Sequence, residues 1–452
     1  MQKPAKSLVS MTQGSITRQL ILFSIPLLIG NFFQQLYNTV DSIIVGQFVG
    51  KQALAAVGTS LPLINLLIGF FMGVAAGASI IISQYYGAKR WEDLRKAVHT
   101  FCWFTLVVGI IMTIIGVAGS SFFLSIIGVP SDIFQDANDY LKIYFAGIGV
   151  TMIYNSGAGI LRAVGDSRRP LYFLIVSSLT NVVLDLVFVV NFNMGVKGVA
   201  WATVLATIIS SVLVIWTLVK DKGEYRVSLK EIRLHKDVLR EIIRIGIPSG
   251  LQQIIVSISN TMVQAYVNSF SSAAIAGFGT GRKFDNFLVL PIQSFGLAIT
   301  TFVGQNAGAK QLERARKGVR VCLFISILII ILLGIPVYFN AEFCISLFTS
   351  DAEVIRIGAQ FMRTVCPFYF AMCFNAIYTG AIRGVGVTIG PTIIQVFCFC
   401  FVRQAMLALL MPVVKDINLV FYGYALTWCL SALMMAIYYY RGKYLYRDVH
   451  AV

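Results

Sequence analysis

Three carboxylates lie in stretches of sequence that are otherwise apolar: Asp41 in LYNTVDSIIVGQ (36–47), Asp185 in SSLTNVVLDLVF (177–188) and Asp285 in GTGRKFDNF (279–287). Neutral oxygens stand beside the first two at helical spacing. Tyr37 precedes Asp41 by four residues and Asn181 precedes Asp185 by four, so each pair shares a helix face. Asn155 in IYNSGAG and Thr203 in WATVLAT add an amide and a hydroxyl. Two carboxylates among such oxygens suit a hard cation such as sodium, held by Asp41, Asn181, Asp185 and Thr203. They equally suit a shared proton, because two close carboxylates in a low dielectric resist being ionised together. The residue types alone do not choose between the ions.

The elements that carry these groups follow from composition. The chain has 452 residues, 57% of them hydrophobic and 12% charged, with a mean hydropathy of +0.79. A soluble domain cannot hide that much apolar surface, so the class is an all-α polytopic membrane protein. About twelve runs reach the ~20 residues a membrane helix needs. They fall near 19–45, 53–83, 96–118, 138–162, 170–190, 197–219, 242–268, 274–305, 319–340, 357–382, 389–412 and 418–440, the second and eighth being over-long. In that setting each intramembrane aspartate costs ~2.5–3.5 kcal/mol near the bilayer centre and calls for a reason.

The formal charge of +16 does not point to nucleic acid, since the basic residues sit in short loops between apolar runs. Lys89, Arg90, Arg95 and Lys96, then Arg168 and Arg169, then Lys310, Arg314, Arg316 and Lys317 mark one side of the membrane. The positive-inside bias makes that side, and both termini, cytoplasmic in a plasma (inner) membrane protein. The polar, basic start MQKPAKSLVSMTQGSITRQ has no features of a cleavable signal segment. The eight cysteines form no CxxC pair, and His99, His235 and His450 fall at loops or the tail, so no cofactor is expected. GQFVGKQ (46–52) has the wrong glycine spacing for a phosphate loop. Work done by such a chain must draw on an ion gradient.

A linker at 220–241 divides the chain into an N-lobe, 1–219, and a C-lobe, 242–452, the latter with a short cytoplasmic tail. Past Ile232 the linker pattern suggests an amphipathic helix on the headgroups, with Val238, Leu239, Ile242 and Ile243 to one side. The lobes repeat one another. SQYYGAK (83–89) matches VGQNAGAK (303–310), and ILRAVGDSRRP (160–170) matches AIRGVGVTIGP (381–391). Gly87 and Gly308, Arg162 and Arg383, and Gly165 and Gly386 all differ by 308 − 87 = 221. Pro26 and Pro248 differ by 222, and Pro26 is expected to bend the first helix, lacking the N–H that a helix interior uses. Six spans per lobe make the repeats parallel, two six-helix lobes around a central cleft. At these offsets Asp41 corresponds to Val263 and Asp185 to Met406. The second lobe omits both carboxylates while keeping the shared glycines, arginines and prolines, so folding alone does not require them.

IPLLIGNFFQQLYNTVDSIIVGQ (25–47), the paired Gly-Ala-Lys and Arg-x-x-Gly turns and the N-lobe polar set resemble the multidrug and toxic compound extrusion (MATE) family, nearer its DinF-type than its NorM-type branch. The resemblance covers essentially the whole chain. It implies a non-enzymatic, ion-coupled antiporter that exports small amphiphilic or drug-like cargo by alternating access. It further implies that Asp41 is the cation-responsive residue, with Asn181, Asp185, Asn155 and Thr203 as its partners. The NorM-type pattern adds C-lobe acids on the seventh and tenth helices. Gln252, Gln253 and Asn375 stand in those regions, so no second cation site is expected.

Two residues depart from this picture. Asp285 follows Arg282 by three and Lys283 by two, which suits a local ion pair. Arg403, in CFCFVRQAML (398–407), either pairs with Asp285 across the C-lobe or faces the cavity, where it would favour anionic or zwitterionic cargo. A flippase for a lipid-linked precursor is the runner-up function. An intramembrane aspartyl enzyme built on Asp41 and Asp185 is more remote, because the flanking sequence does not suit one water held between two carboxylates. Cargo and membrane lipid are the expected partners, with no nucleic acid, and the chain is expected to be a monomer.

Overall fold

The computed structural model describes residues 11–442 with Tyr444 and Leu445. His450 and both chain ends lie outside these residues. The described chain is nearly all helical, and eleven of its helical stretches are long and apolar enough to cross a bilayer. They are α1 (Ile16–Ile44), α2 (Lys51–Gly87), α3 (Trp91–Ile126), α6 (Arg168–Asp185), α7 (Gly195–Lys220), α8 (Lys236–Val267), α9 (Ser272–Gly308), α10 (Leu312–Phe339), α12 with α13 (Ala352–Val365, Tyr369–Gly384), α14 with α15 (Ile389–Val396, Arg403–Val414) and α16 (Asn418–Gly442). The remaining passage, expected at 138–162, is interrupted at Gly147 into α4 (Ser131–Ala146) and α5 (Ile148–Ala163). A short α11 (Ala341–Ser346) follows α10. Helices dominate because a backbone in lipid must satisfy its own N–H and C=O groups. The second and eighth runs are indeed long: α2 and α9 have 37 residues each, roughly 55 Å at 1.5 Å per residue, well beyond a hydrocarbon core.

The repeated motifs are the turns between these helices. Gly165 and Gly386 have φ of +98° and +90°, a region costly for any side chain with a Cβ, and each N–H bonds back to the carbonyl of the matching arginine, Arg162 or Arg383. The Gly-Ala-Lys pair is a helix stop of the same kind, with Lys89 (φ +56°) and Lys310 (φ +58°) in the left-handed position.

The chain forms two compact units, each with its own core. The first holds Ile29–Gly250, with a core that includes Phe71, Phe101, Phe145 and Met152. The second holds the described residues up to Leu28 and those from Leu251 onward, around Phe278, Phe361, Tyr369 and Phe421. The division therefore runs through α1 and α8, two residues after Pro26 and two after Pro248. α1 remains continuous helix across Pro26.

Each unit grips the start of a helix from the other half of the sequence. In the second, Arg314 donates to the Gln19 side chain at 2.7 Å and Asn306 to the Met11 carbonyl at 2.9 Å. In the first, Tyr85 donates to Glu241 at 2.8 Å, and Thr100 bonds His235 at 3.0 Å. The expected amphipathic stretch is helical but not a separate surface helix: from Lys236 it is the first turns of α8. Residues 221–235 hold only the short turn Leu229–Glu231, while Val238 and Ile242 are buried in the first core with Ile232 against it. That apolar face is covered by protein. Arg169 anchors the start of the linker by bonding Asp221 at 2.7 Å, where Tyr225 also donates at 2.8 Å. Although burial opposes it, these donors and the Gly223 N–H hold the Asp221 carboxyl below its ordinary pKa.

α2 and α8 meet through two Gly-xxx-Gly pairs, Gly73/Gly77 and Gly246/Gly250, a spacing that lets membrane helices approach backbone to backbone. A Cβ on Gly73 would lie 2.2 Å from the Gly250 nitrogen, and one on Gly77 would lie 2.7 Å from the Gly246 nitrogen. Gly73→Leu is therefore expected to lose its monodisperse peak in fluorescence-detected size exclusion. Gly58→Leu, on the same helix with nothing within 4 Å of the added Cβ, is expected to keep it. Equal behaviour of the two variants would show that this crossing does not hold the first unit together.

Candidate functional site

α6 carries Asn181 and Asp185 one turn apart, and both are buried, 2% and 0% exposed. A wider helical turn over Leu186–Asn191 begins directly after Asp185. α1 carries Tyr37 and Asp41 in the same relation, and it too ends in a wide turn, Val45–Val49. Such turns release one backbone group from the regular ladder and are common at functional sites. The Asp41 and Asp185 carboxyl groups come within hydrogen-bonding reach of each other.

Their buried oxygens are left without a hydrogen-bond partner among the described residues. No donor reaches Asp41 Oδ1, Asp185 Oδ1, Asp185 Oδ2 or Asn181 Oδ1, although all four atoms are buried. Asn181 directs its Nδ2 towards Thr203 Oγ1 at 3.5 Å, which turns its oxygen the other way. Thr203 can accept because its own hydroxyl proton goes to the Val199 carbonyl at 3.0 Å. Asn155 differs from expectation: its Nδ2 bonds Thr151 of its own helix at 2.9 Å, and no bond from it to the aspartates forms among the described residues. Tyr37 lies in the field of both aspartates.

Tyr140 and Tyr144 lie in the field of Asp41 as well, their rings 6.1 Å apart on α4. Sequence reasoning passed over them. Their i, i+4 spacing in DYLKIYFAG was the available signal, but tyrosines at helical spacing more often serve packing. Two facing carboxyls with unmet acceptors cannot stay ionised together in a low dielectric. A proton between them turns repulsion into a hydrogen bond, and a cation would take the same oxygens as ligands. The residues present fit either ion.

The C-lobe is organised in the opposite sense. Asp285, 2% exposed, receives Arg282 at 2.7 Å and the Tyr369 hydroxyl at 2.6 Å, so both of its oxygens are met. The local pairing is the one formed. Arg403 does not pair with Asp285, because Arg282, one turn away on the same helix, already holds that carboxylate. Arg403 is 3% exposed, donates to Thr427 at 3.2 and 3.0 Å and to Asn260 at 3.4 Å, and lies 4.2 Å from the centre of the Tyr424 ring. It makes no ion pair among the described residues.

Gln252 and Asn375 join a neutral relay. Arg383 donates to the Gln252 oxygen, the Gln252 amide donates to Gln395, Gln395 donates to Asn375 at 2.9 Å, and Asn375 donates to Ser431 at 2.9 Å. Every amide has both a donor and an acceptor role filled, which leaves no bare acceptor for a cation. Gln253 is exposed and takes no part.

The two lobes thus predict opposite responses to removing one negative charge. Asp285→Ala strands Arg282 and is expected to destabilise by about 3 kcal/mol, seen as a lower melting temperature in detergent. Asp41→Asn relieves repulsion and is expected to leave the melting temperature unchanged or raised. A fall of similar size in both variants would sink the distinction.

Comparison with known proteins shows the family and the fold. The sequence profile of the MatE family matches the chain twice, over residues 26–187 and 248–409, an offset of 248 − 26 = 222. "Probable multidrug resistance protein YoeA" of Bacillus subtilis is 30% identical over 95% of this chain and 94% of its own. "Probable multidrug resistance protein YpnP" of the same organism is 27% identical over 96% and 97%. Among solved structures, an outward-facing multidrug resistance MATE family transporter superposes with a TM-score of 0.91 at 24% identity, covering 98% of both chains. A MOP superfamily transporter from Pyrococcus furiosus, described as having a binding pocket of reverse polarity, superposes with a TM-score of 0.92 at 24% identity, covering 99% and 100%. The fold is shared along the full length.

Proposed function

This chain belongs to the MatE family, and from that premise we propose that it is a secondary antiporter exporting small amphiphilic or drug-like compounds in exchange for H⁺ or Na⁺. The observation that carries the proposal is the set of four buried oxygens on Asp41, Asn181 and Asp185 with no donor among them. The names of its relatives, both multidrug resistance proteins, support drug-like cargo.

Binding of one cation cancels one of the two negative charges, removes their mutual repulsion and draws α1 toward α6. Loss of the cation restores repulsion and lets α1 move, with Pro26 as the place where a missing backbone hydrogen bond makes bending least costly. Cargo that occupies the N-lobe only when the cation is absent is coupled to it negatively and reciprocally, which is the thermodynamic condition for exchange. Alternating exposure of the site then needs only that the two lobes rock. The satisfied amide relay in the C-lobe supports coupling through one lobe. The protein works as a monomer in the plasma (inner) membrane, with the basic loops on the cytoplasmic side.

A second reading keeps the transporter and changes the cargo. Arg403, held by neutral groups and an aromatic ring, supports an anionic or zwitterionic substrate, including a lipid-linked precursor moved as by a flippase.

Purified protein in liposomes, loaded with a fluorescent cationic dye and given either a proton or a sodium gradient, tests both. One gradient is expected to drive dye movement, and Asp41→Asn or Asp185→Asn to slow it by ~10-fold or more, since each removes a differential interaction with the ion. Wild-type gradient dependence in Asp41→Asn would overturn the cation site. Movement of an anionic dye in place of the cationic one, abolished in Arg403→Gln, would favour the second reading.

A further inference from the structure

Near the end of α10 that carries the basic loop, a cavity of ≈ 240 Å³ opens between α10, α13 and α16. Arg316 and Arg320, one turn apart, line it from α10, and the Tyr378 and Tyr440 hydroxyls, 3.3 Å from each other, line it from α13 and α16. Arg320 lies in the field of Tyr378. Among the described residues, no acidic residue lines this space. The polar groups occupy one end only. One to two turns further along α10 the lining becomes Phe324 and Ile327, and Phe324 is 69% exposed on the outward surface. Leu328, Ile331 and Leu332 continue that exposed apolar face along the helix.

We propose that this groove is a binding site for an anionic phospholipid. The phosphate would sit between Arg316 and Arg320 with the tyrosine hydroxyls as further donors, and an acyl chain would run along Phe324 and Ile327. Three features select this occupant over a soluble anion. The charge is complementary to a phosphate diester, the arginines stand within the first three turns of a helix whose exposed face further along is apolar, and the apolar lining begins directly beyond them. Basic pockets between membrane helices on the cytoplasmic side bind anionic headgroups by this combination of Coulomb attraction and hydrogen bonding. The groove lies within the second unit and shares no residue with Asp41 and Asp185, so it concerns lipid dependence and not ion coupling. Its assignment to the cytoplasmic leaflet rests on the orientation proposed above. The binding itself does not.

Native mass spectrometry of the delipidated protein titrated with phosphatidylglycerol measures the site without gradient or cargo, so it stands or falls separately from transport. The first bound phosphatidylglycerol is expected to weaken by ~10-fold in the Arg316→Gln/Arg320→Gln double variant, because both charge-assisted donors are lost. It is expected to persist in the Arg316→Lys/Arg320→Lys variant, and in Lys317→Gln, an exposed residue of the same helix that is not among the groove-lining residues. Phosphatidylcholine should not substitute, and inorganic phosphate or the acyl-free headgroup should not compete. Unchanged binding in the double glutamine variant, or an equal loss in Lys317→Gln, would overturn the site. Competition by inorganic phosphate as effective as by the lipid would overturn the lipid assignment.

Discussion

Two carboxyl groups, Asp41 and Asp185, face each other inside an apolar helix bundle, and among the described residues no cationic side chain answers them. In a low dielectric that arrangement is tolerable only while something positive lies between them. The neighbouring groups preserve the demand without relieving it. Asn181 spends its N–H on Thr203 and turns its oxygen inward, and Thr203 spends its proton on the backbone. A cationic side chain placed in this set would answer the charge permanently and remove its dependence on an ion. On the proposed reading, that dependence is what couples cargo to a gradient.

The C-lobe shows what the same architecture looks like when no such demand is made. Its one buried acid among the described residues is matched by an arginine and a tyrosine. Where acids would complete a second site, an unbroken chain of amides runs from Arg383 to Ser431. Each amide needs a partner on both sides, so the relay rigidifies the lobe and carries no net charge of its own. The duplicated fold has therefore kept its turns and divided its electrostatics, with two facing carboxyls in one lobe and a guanidinium held by neutral groups, Arg403, in the other.

The helices that begin each half, α1 and α8, are the ones shared between the two compact units. Each crosses from one to the other just after a proline, where a backbone hydrogen bond is already missing and curvature costs least. Around that point α8 is held against α2 by glycines so close that a single added methyl would collide with backbone. On α1, the stretch beyond Pro26 carries Asp41. The element that carries Asp41 is thus also an element that joins the units.

The sequence by itself determined the membrane class, the duplication and the pairing of Tyr37 with Asp41 and Asn181 with Asp185. Each rests on local chemistry: hydropathy over a span, turns repeated at one offset, and residues four apart on a helix. The paired Arg-x-x-Gly motif was legible as a repeat, and the positive φ at Gly165 and Gly386 supplies its physical cause. Only the tertiary structure decided which groups meet across helices. It brought Tyr140 and Tyr144 toward Asp41 and left Asn155 bonded within its own helix. It gave Asp285 to Arg282 and left Arg403 to Thr427 and Tyr424. It also buried the apolar face of the linker against protein, where the pattern had suggested lipid headgroups. These outcomes depend on competition among several partners for one donor or one surface. Spacing along a helix specifies which residues share a face, but only the assembled helices determine which neighbour that face meets.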